Sequence, residues 1–378
     1  MTDRYLGLPL DFWQPEFLGI PHPIWTLAFT AVGLIVGSFL NVVIHRLPLG
    51  ESVITPPSRC PQCRTRIPLR YNLPVLSWFL LRGRSACCGL PISWRYPAIE
   101  ALTGGLFLAT WLVFGYTDPW VAVGLCVLFS GFIAATFIDL DHLIIPDEIT
   151  LGGVAAGFLL SAVIPGLQQA DSPMEAMKRS GVGILVGASL VYTVLRLGKL
   201  VFGRQRIQLP EGSRVRFLET GLHLPSGEVA YGELFYRRSD AVRLRARRLE
   251  LADRCYRDCR VEVLLAATPP VVRVAGEEFN AEDEPYLEAE ADRIELPREA
   301  MGLGDVKFMA AIGAFLGWPC TVFSLFFSAV IGSVVAGVLI AAGRQTLSGR
   351  LGYGPYIALA AMTWVFGGRD LVARWLGL

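Results

Sequence analysis

The sequence predicts an all-α polytopic membrane protein of about eight transmembrane helices, with a cysteine-containing cytoplasmic loop and a small β-rich cytoplasmic domain inserted late in the chain. Three observations predict it. Of 378 residues, 53% are hydrophobic and 18% charged, with a mean hydropathy of +0.47, whereas soluble proteins carry about 25% charged residues. The apolar residues gather into stretches approaching the roughly 20 that a bilayer crossing needs. The charges collect in two blocks, 45–96 and 203–300. The balance of 34 basic and 33 acidic residues, a formal +1, excludes a binder that relies on bulk charge, so no nucleic-acid partner is expected.

The elements follow in chain order. Residues 1–23 form an interfacial segment rather than a cleavable signal. Asp3, Asp11 and Glu16 stand where a basic region would be, and Pro9, Pro15, Pro21 and Pro23 break any apolar run. The first span, 24–44, has no charged residue. The loop 45–96 carries Arg46, Arg59, Arg64, Arg66, Arg70, Arg82, Arg84 and Arg95 against Glu51 alone, which places it in the cytoplasm by the positive-inside rule. Spans at 97–117, 119–138, 149–165 and 181–202 follow, the first interrupted only by Glu100. Loop 139–148 then falls inside, and 116–118 and 166–180 fall outside. Three apolar stretches at 306–317, 320–342 and 353–376 complete the set, with Arg369 and Arg374 running mildly against the rule near an external C-terminus.

The segment 203–300 differs in composition. Short alternating stretches near 214–218 and 261–265, with turn signals at Pro210, 225–227 and 269–270, predict strands. Its first part is rich in arginine (Arg237, Arg238, Arg243, Arg245, Arg247, Arg248) and its tail in acid, from Glu277 to Asp292. Two solvated faces, or an acidic stretch folding back on a basic patch, is the reading preferred over a lipid-headgroup or partner contact. Cys255 and Cys259 are read as free thiols four apart on a possible helix face.

Two aspartates stand out because ionisable residues at membrane depth are costly and by default functional. Asp139 ends the third span and Asp305 begins the sixth, and the arginine-derived topology puts both on the cytoplasmic side at similar depth. Two carboxylates brought together share a proton, so one can activate water while the other polarises a carbonyl. This aspartic-protease chemistry needs no metal and no covalent intermediate. Gly302 and Gly304 flank the approach to Asp305 and would let backbone come close to an extended peptide. Lys307 is a candidate counter-ion, although two residues along a helix it leaves the face of Asp305. Asp141, Asp147 and Glu148 are read as interfacial.

The motifs GSFLNVVIHRLP (37–48), Cys60-Pro-Gln-Cys63, YNLPVLSW (71–78), PISWRYPAIE (91–100), FIDLDHLIIPD (137–147), GLGDVKFMAAIGAFLGW (302–318) and GYGPYIALA (352–360) carry a resemblance to type IV prepilin peptidases. These are the leader peptidase/N-methyltransferases of pilus and type II secretion systems. The likeness covers nearly the whole chain outside the insert, and the GxGD signature is shared with presenilin-type proteases. It implies that Asp139 and Asp305 are the catalytic pair. Asp139 is chosen over Asp141, its alternate, because it lies seven residues before Pro146 as in the family's pattern. The resemblance also implies prepilin or pseudopilin substrates cleaved at the cytoplasmic face of a bacterial inner membrane, and contacts with pilus or type II secretion assembly proteins.

Cys60-x2-Cys63 followed by Cys87-Cys88-Gly89 reads as a metal site in a reducing compartment, with zinc as the ion. The family has two Cys-x2-Cys knuckles here, and Ser85 takes the first position of the second. Cys60, Cys63 and Cys88 keep the register, with Cys87 or water as fourth ligand. A degenerate site held by packing and a disulfide are the alternatives. The family's N-methylation uses S-adenosylmethionine, and the first loop and its flanks, present in this chain, are implicated. No dinucleotide-type glycine fingerprint shows how the cofactor would be held. Candidate polar groups are Asn41, Arg46, Asn72, Arg95 and Glu100. The rival function is a transporter whose intramembrane carboxylates couple protons or cations. Its carboxylates would lie near the midplane, commonly within repeated halves, and no repeat is visible.

Overall fold

The computed structural model describes residues 16–376, apart from 61–62, 64, 69–70, 203, 219–220, 226, 235–239, 266–268, 285, 298–301 and 345–351. The reading of residues 1–15 as interfacial therefore lies outside the described residues. The chain divides into two units, one of residues 1–192 with 302–378 and one of 193–301.

The first unit is helical. After a two-residue hairpin of β1 (Glu16–Phe17) and β2 (Ile20–Pro21) come α1 (His22–Arg46), the short α2 (Leu76–Leu80), α3 (Arg95–Phe114), α4 (Pro119–His142), α5 (Asp147–Val163) and α6 (Pro173–Phe202). Local chemistry sets the ends of α4. Asp118 Oδ1 accepts from the amides of Trp120 and Val121 at 3.1 and 3.2 Å, with Pro119 in the first turn. Leu143 closes the helix in the left-handed region, its amide bonding the Asp139 carbonyl at 2.9 Å.

Among the described residues five helices are long and apolar enough to cross a membrane. They are His22–Leu49, Arg95–Phe114, Pro119–His142, Pro173–Gly198 and Leu303–Ala341. The stretch 149–165 becomes the 17-residue α5. The stretches 306–317 and 320–342 join in one helix, Leu303–Ala341, broken at Gly317 (φ 75°, ψ 174°) just before Pro319. The last stretch is interrupted as well. It consists of a helix over Gly354–Thr363, a π-turn over Trp364–Gly368 and a helix over Arg369–Leu376.

Small residues let these helices approach closely, as membrane helices do where no hydrophobic force drives them together. A Cβ on Gly37 of α1 would lie 2.7 Å from the Glu100 Cα of α3. Gly183 of α6 and Gly313 meet backbone to backbone with no room for a side chain. The break at Gly317 interrupts the bond that the Ala314 carbonyl would otherwise accept four residues on. Three side chains replace it: Gln168 Nε2 at 2.7 Å, Ser180 Oγ at 2.8 Å and Ser161 Oγ at 3.1 Å.

The second unit contains a nine-stranded antiparallel sheet. Its strands are β3 (Arg204–Gln208), β4 (Arg214–Phe217), β5 (Gly221–Leu224), β6 (Gly227–Ala230), β7 (Val242–Leu251), β8 (Cys255–Leu264), β9 (Val271–Val274), β10 (Glu277–Asn280) and β11 (Leu287–Pro297), with a one-turn helix α7 (Tyr231–Leu234) after β6. The order is β10-β9-β8-β7-β11-β4-β5-β6, with β3 also pairing with β11. Alternating residues build its core, including Val215, Leu244, Leu249, Val261, Val272 and Ile294. The acidic stretch does fold back on the basic one. β11 runs antiparallel to β7 with Arg248 opposite Glu290 and Arg243 opposite Glu295. Cys255 and Cys259 sit on strand β8 rather than on a helix, the first exposed and the second buried. The alternation of β8, which also holds Val261 and Val263 in the core, overrides a helical spacing of four.

The remaining helices complete the first unit: α8 (Leu303–Ala341), α9 (Gly354–Thr363) and α10 (Arg369–Leu376).

Candidate active site

Asp139 lies in the last turn of α4 and Asp305 in the first turn of α8, with 4% and 8% of their surfaces exposed. The Asp139 charge acts directly on Asp305, so the two carboxylates share one electrostatic environment. Each one caps a helix. The Gly302 amide donates to Asp305 Oδ2 at 3.1 Å, closing the start of α8. The Gly354 amide, an unpaired donor at the start of α9, gives its proton to Asp139 Oδ2 at 2.8 Å. Among the described residues the Oδ1 atom of each carboxylate accepts no hydrogen bond, which leaves one oxygen per aspartate for a water or a carbonyl.

Glycines make this crowding feasible. A Cβ on Gly352 would lie 2.6 Å from Asp139 Oδ2, and one on Gly354 would lie 2.9 Å from the same atom. Ile145, from the segment after α4, packs between Gly304 and Gly354, at 3.4 and 3.1 Å from their Cβ positions. Tyr353 and Tyr356 feel the charges of Asp305 and Asp139 respectively, and the Tyr353 hydroxyl meets Ser328 Oγ at 3.0 Å. Gly352, Gly354 and the two tyrosines stand in the GYGPYIALA motif, quoted above without a role. That motif was the available signal for them.

The other acidic and basic candidates are placed elsewhere. Asp141 is held bidentately by Arg95, at 2.6 and 2.9 Å, while that guanidinium also lies over the Phe137 ring. Lys307 pairs with Asp147 at 2.6 Å rather than with Asp305, because two residues along α8 it faces a different neighbour. Asn41 Nδ2 donates to the Tyr96 and Gly37 carbonyls, at 3.2 and 3.3 Å. Arg46 Nη1 donates to the Pro56 and Ser52 carbonyls, at 2.8 and 3.1 Å. Glu100 Oε2 accepts from the Val75 amide at 2.6 Å. Asn72 is exposed. Four of these five groups are thus engaged in holding backbone or an ion pair.

The cysteines do assemble. Two tight turns of the same pattern present them. Cys60 N bonds Thr65 O at 2.9 Å, and 25 residues on Ser85 N bonds Leu90 O at 2.8 Å. In this register Ser85 matches Cys60 and Cys88 matches Cys63. Cys87 nevertheless reaches the cluster, with its sulfur 3.2 Å from that of Cys63 and 3.0 Å from Ser85 Oγ. All four sulfurs lie within 4.8 Å of one another, and Cys60 Sγ is 3.7 Å from Cys88 Sγ. The four cysteines are not joined in disulfides, and these separations exceed the ~2.05 Å of an S–S bond. They are close to the ~3.8 Å edge of a tetrahedron with ~2.3 Å metal–sulfur bonds, so the cluster can hold a metal ion. Hydrogen bonding with Thr65, through its side chain and its backbone, lowers the pKa of Cys63.

Comparison with known proteins adds an independent line. A family model for the bacterial peptidase A24 N-terminal domain matches residues 31–114. One for the type IV leader peptidase family matches residues 126–205 and 294–337, leaving the sheet-forming stretch between its halves. A protein of Myxococcus xanthus named prepilin leader peptidase/N-methyltransferase is 41% identical over 193 residues, 51% of this chain and 54% of the relative. A Klebsiella pneumoniae protein of that name is 36% identical over 51% of this chain and 83% of its own length. A third, from Stutzerimonas stutzeri, is 23% identical over 96% of this chain and 97% of its own. No solved structure matches.

Proposed function

The chain belongs to the type IV leader peptidase family, and from that premise we infer that it is a membrane peptidase that removes the leader of type IV prepilins or pseudopilins and N-methylates the new terminus. The observation that carries the reading within this molecule is the pair of buried carboxylates, Asp139 and Asp305, each fixed by a glycine amide and each with a second oxygen that accepts no hydrogen bond among the described residues.

The geometry supports a general acid–base hydrolysis. The pair holds one proton between them. The ionised member takes a proton from water as it attacks the scissile carbonyl, and the protonated member donates to the carbonyl oxygen. Collapse of the tetrahedral diol breaks the C–N bond, and a proton passes to the departing amine. Which aspartate holds the shared proton belongs to the pair rather than to either residue. Gly302 and Gly304 open the approach to Asp305 for an extended peptide backbone.

The reading extends to eight membrane crossings, with the aspartates at the cytoplasmic face of a bacterial inner membrane. The arginines of 45–96 support that orientation. A cytoplasmic site suits a substrate whose charged leader cannot enter the bilayer. The domains follow as an interfacial 1–23, a first span 24–44, a cysteine loop 45–96, spans over 97–202, an inserted cytoplasmic domain 203–300 and the GxGD segment with the last spans 301–378. Zinc is the ion that Cys60, Cys63, Cys87 and Cys88 suit, and it would brace the two turns of the loop without entering proteolysis. S-adenosylmethionine belongs to the methyltransferase half, and no step is assigned to residues that are already bonded elsewhere. Assembly proteins of pili or type II secretion are the partners this function would meet. The transporter alternative is not supported, since the relatives compared are leader peptidases.

The test is substitution. Asp139→Asn and Asp305→Asn each abolish prepilin cleavage in reconstituted protein that still inserts, while methylation of a pre-cleaved peptide survives. Full cleavage by either variant would overturn the dyad.

A further inference from the structure

Helix α2 is built inside out. Its inward side is polar: Ser77 Oγ accepts from the Leu73 amide at 2.9 Å, and Trp78 Nε1 donates to the Ile92 carbonyl at 3.0 Å. Its outward side is apolar, with Leu76, Phe79 and Leu80 exposed to 61, 65 and 75%. Leu73, just before the helix, is 50% exposed. Trp94, just before α3, is 73% exposed. Single exposed apolar residues are ordinary on a surface bathed in water, but a contiguous set is not.

The backbone enforces this orientation. Val75 enters α2 at φ 62°, a left-handed conformation that is a genuine outlier for a β-branched residue. It is held there by the bond from its amide to Glu100 Oε2 at 2.6 Å. Glu100 lies five residues inside α3, which begins at Arg95, so the bond fastens the start of α2 beside α3 about 7.5 Å from that helix end, at 1.5 Å per residue. An amphipathic segment sits between headgroups and acyl chains at about this depth, roughly 5–10 Å. The flanking charge suits an anionic surface. Arg82 and Arg84 follow α2, and Glu51 is the lone acid between residues 45 and 96. Trp94 and Tyr96 stand at the mouth of a membrane-length helix, the usual place for an aromatic belt.

We propose that α2 and Trp94 lie in the membrane–water interface, with Leu73, Leu76, Phe79 and Leu80 against the acyl chains of an anionic leaflet. The segment is an in-plane anchor that seats the cysteine turns, which follow and precede it in the chain, against the bilayer. Glu100 thereby acts as a positioning group for the anchor.

Photocrosslinking tests this in the full-length protein. p-Benzoyl-phenylalanine replaces Phe79 in nanodiscs of phosphatidylglycerol and phosphatidylethanolamine, and the same group replaces the exposed Glu51 as a control. After irradiation, mass spectrometry finds position 79 shifted by one phospholipid, and that adduct is lost at position 51. The aromatic replacement keeps the shape of Phe79, and melting of the irradiated sample confirms the fold. Absence of a lipid adduct at 79 in folded protein overturns the proposal. So does an adduct formed there mainly with a second copy of the chain or with an added prepilin peptide. Cleavage activity does not enter the readout, so failure of the anchor and failure of the peptidase reading are separable.

Discussion

The closest packing around the proposed dyad is at Gly352, and replacing it with alanine is the sharpest test of how tightly Asp139 must be held. The new methyl would lie 2.6 Å from Asp139 Oδ2, 2.9 Å from the Asp139 carbonyl oxygen and 3.0 Å from its Cγ. An ordinary C···O contact is about 3.3 Å, so one side must give by about 0.7 Å. A rotation of the carboxylate cannot relieve the clash with the backbone oxygen, and it would stretch the bond from the Gly354 amide. A displacement approaching 1 Å at a reacting group costs up to about 10²-fold in rate. Gly352→Ala therefore lowers kcat by about 10- to 10²-fold, or about 1.4–2.7 kcal/mol of transition-state stabilisation. KM stays comparatively steady, since substrate contacts elsewhere are untouched. The overpacking itself destabilises the fold by about 1–3 kcal/mol, so thermal melting accompanies the assay. The assay is cleavage of a purified prepilin in proteoliposomes. Gly131→Ala on α4, where nothing lies within 4 Å of the added Cβ, is the matched control and keeps full activity. A folded Gly352→Ala protein with the wild-type kcat would refute the claim that Asp139 is sterically gated by this glycine.

Three further outcomes follow from the geometry. Asp141→Asn keeps cleavage, because Asp141 serves an exposed ion pair with Arg95, and the loss of such a pair costs at most about 1 kcal/mol of stability; a melting curve and the cleavage assay read both. Glu288, buried on β11 and bonded to Arg216 at 2.7 Å and the Tyr286 hydroxyl at 2.6 Å, has a lowered pKa because these bonds and the Arg214 charge outweigh its desolvation. Its contribution is then complete above the ordinary glutamate value of about 4.3 and is lost as pH falls through the lower folded value. Hydrogen exchange of β4 and β11 amides in the full chain should accelerate in that acid window, and Glu288→Gln should flatten the dependence. Finally, purified protein should carry close to one zinc by atomic absorption, and Cys60→Ser or Cys88→Ser should strip it. A metal-free wild type would end the zinc assignment.

Much of the architecture was legible in residue order because its causes are local. Apolar runs and the alternation in the insert act over a few residues, and they located helices and sheet. Topology put Asp139 and Asp305 on one side at similar depth, and the resemblance supplied the choice of Asp139 over Asp141. Local pattern marked one interruption, ending a stretch at 317 and starting the next at 320, but it gave no sign of the π-turn over Trp364–Gly368. How the break at Gly317 is stabilised, by Gln168, Ser161 and Ser180 from distant parts of the chain, was not legible. Cys255 and Cys259 looked helical because a spacing of four fits either element until strand pairing is known.

The site divides in the same way. The residues proposed to carry its chemistry stood out in the sequence, since a carboxylate at a span end is costly enough to mark itself. How they are held was decided only in three dimensions. The amide that fixes Asp139 comes from Gly354, 215 residues away. The candidate counter-ion Lys307 turned to Asp147, and Cys87, one of the two fourth ligands the sequence offered, joined the cluster. Hydropathy and spacing constrain which face a residue prefers. Hydrogen bonds and close contacts depend on angstrom-scale distances that exist only once remote segments have packed.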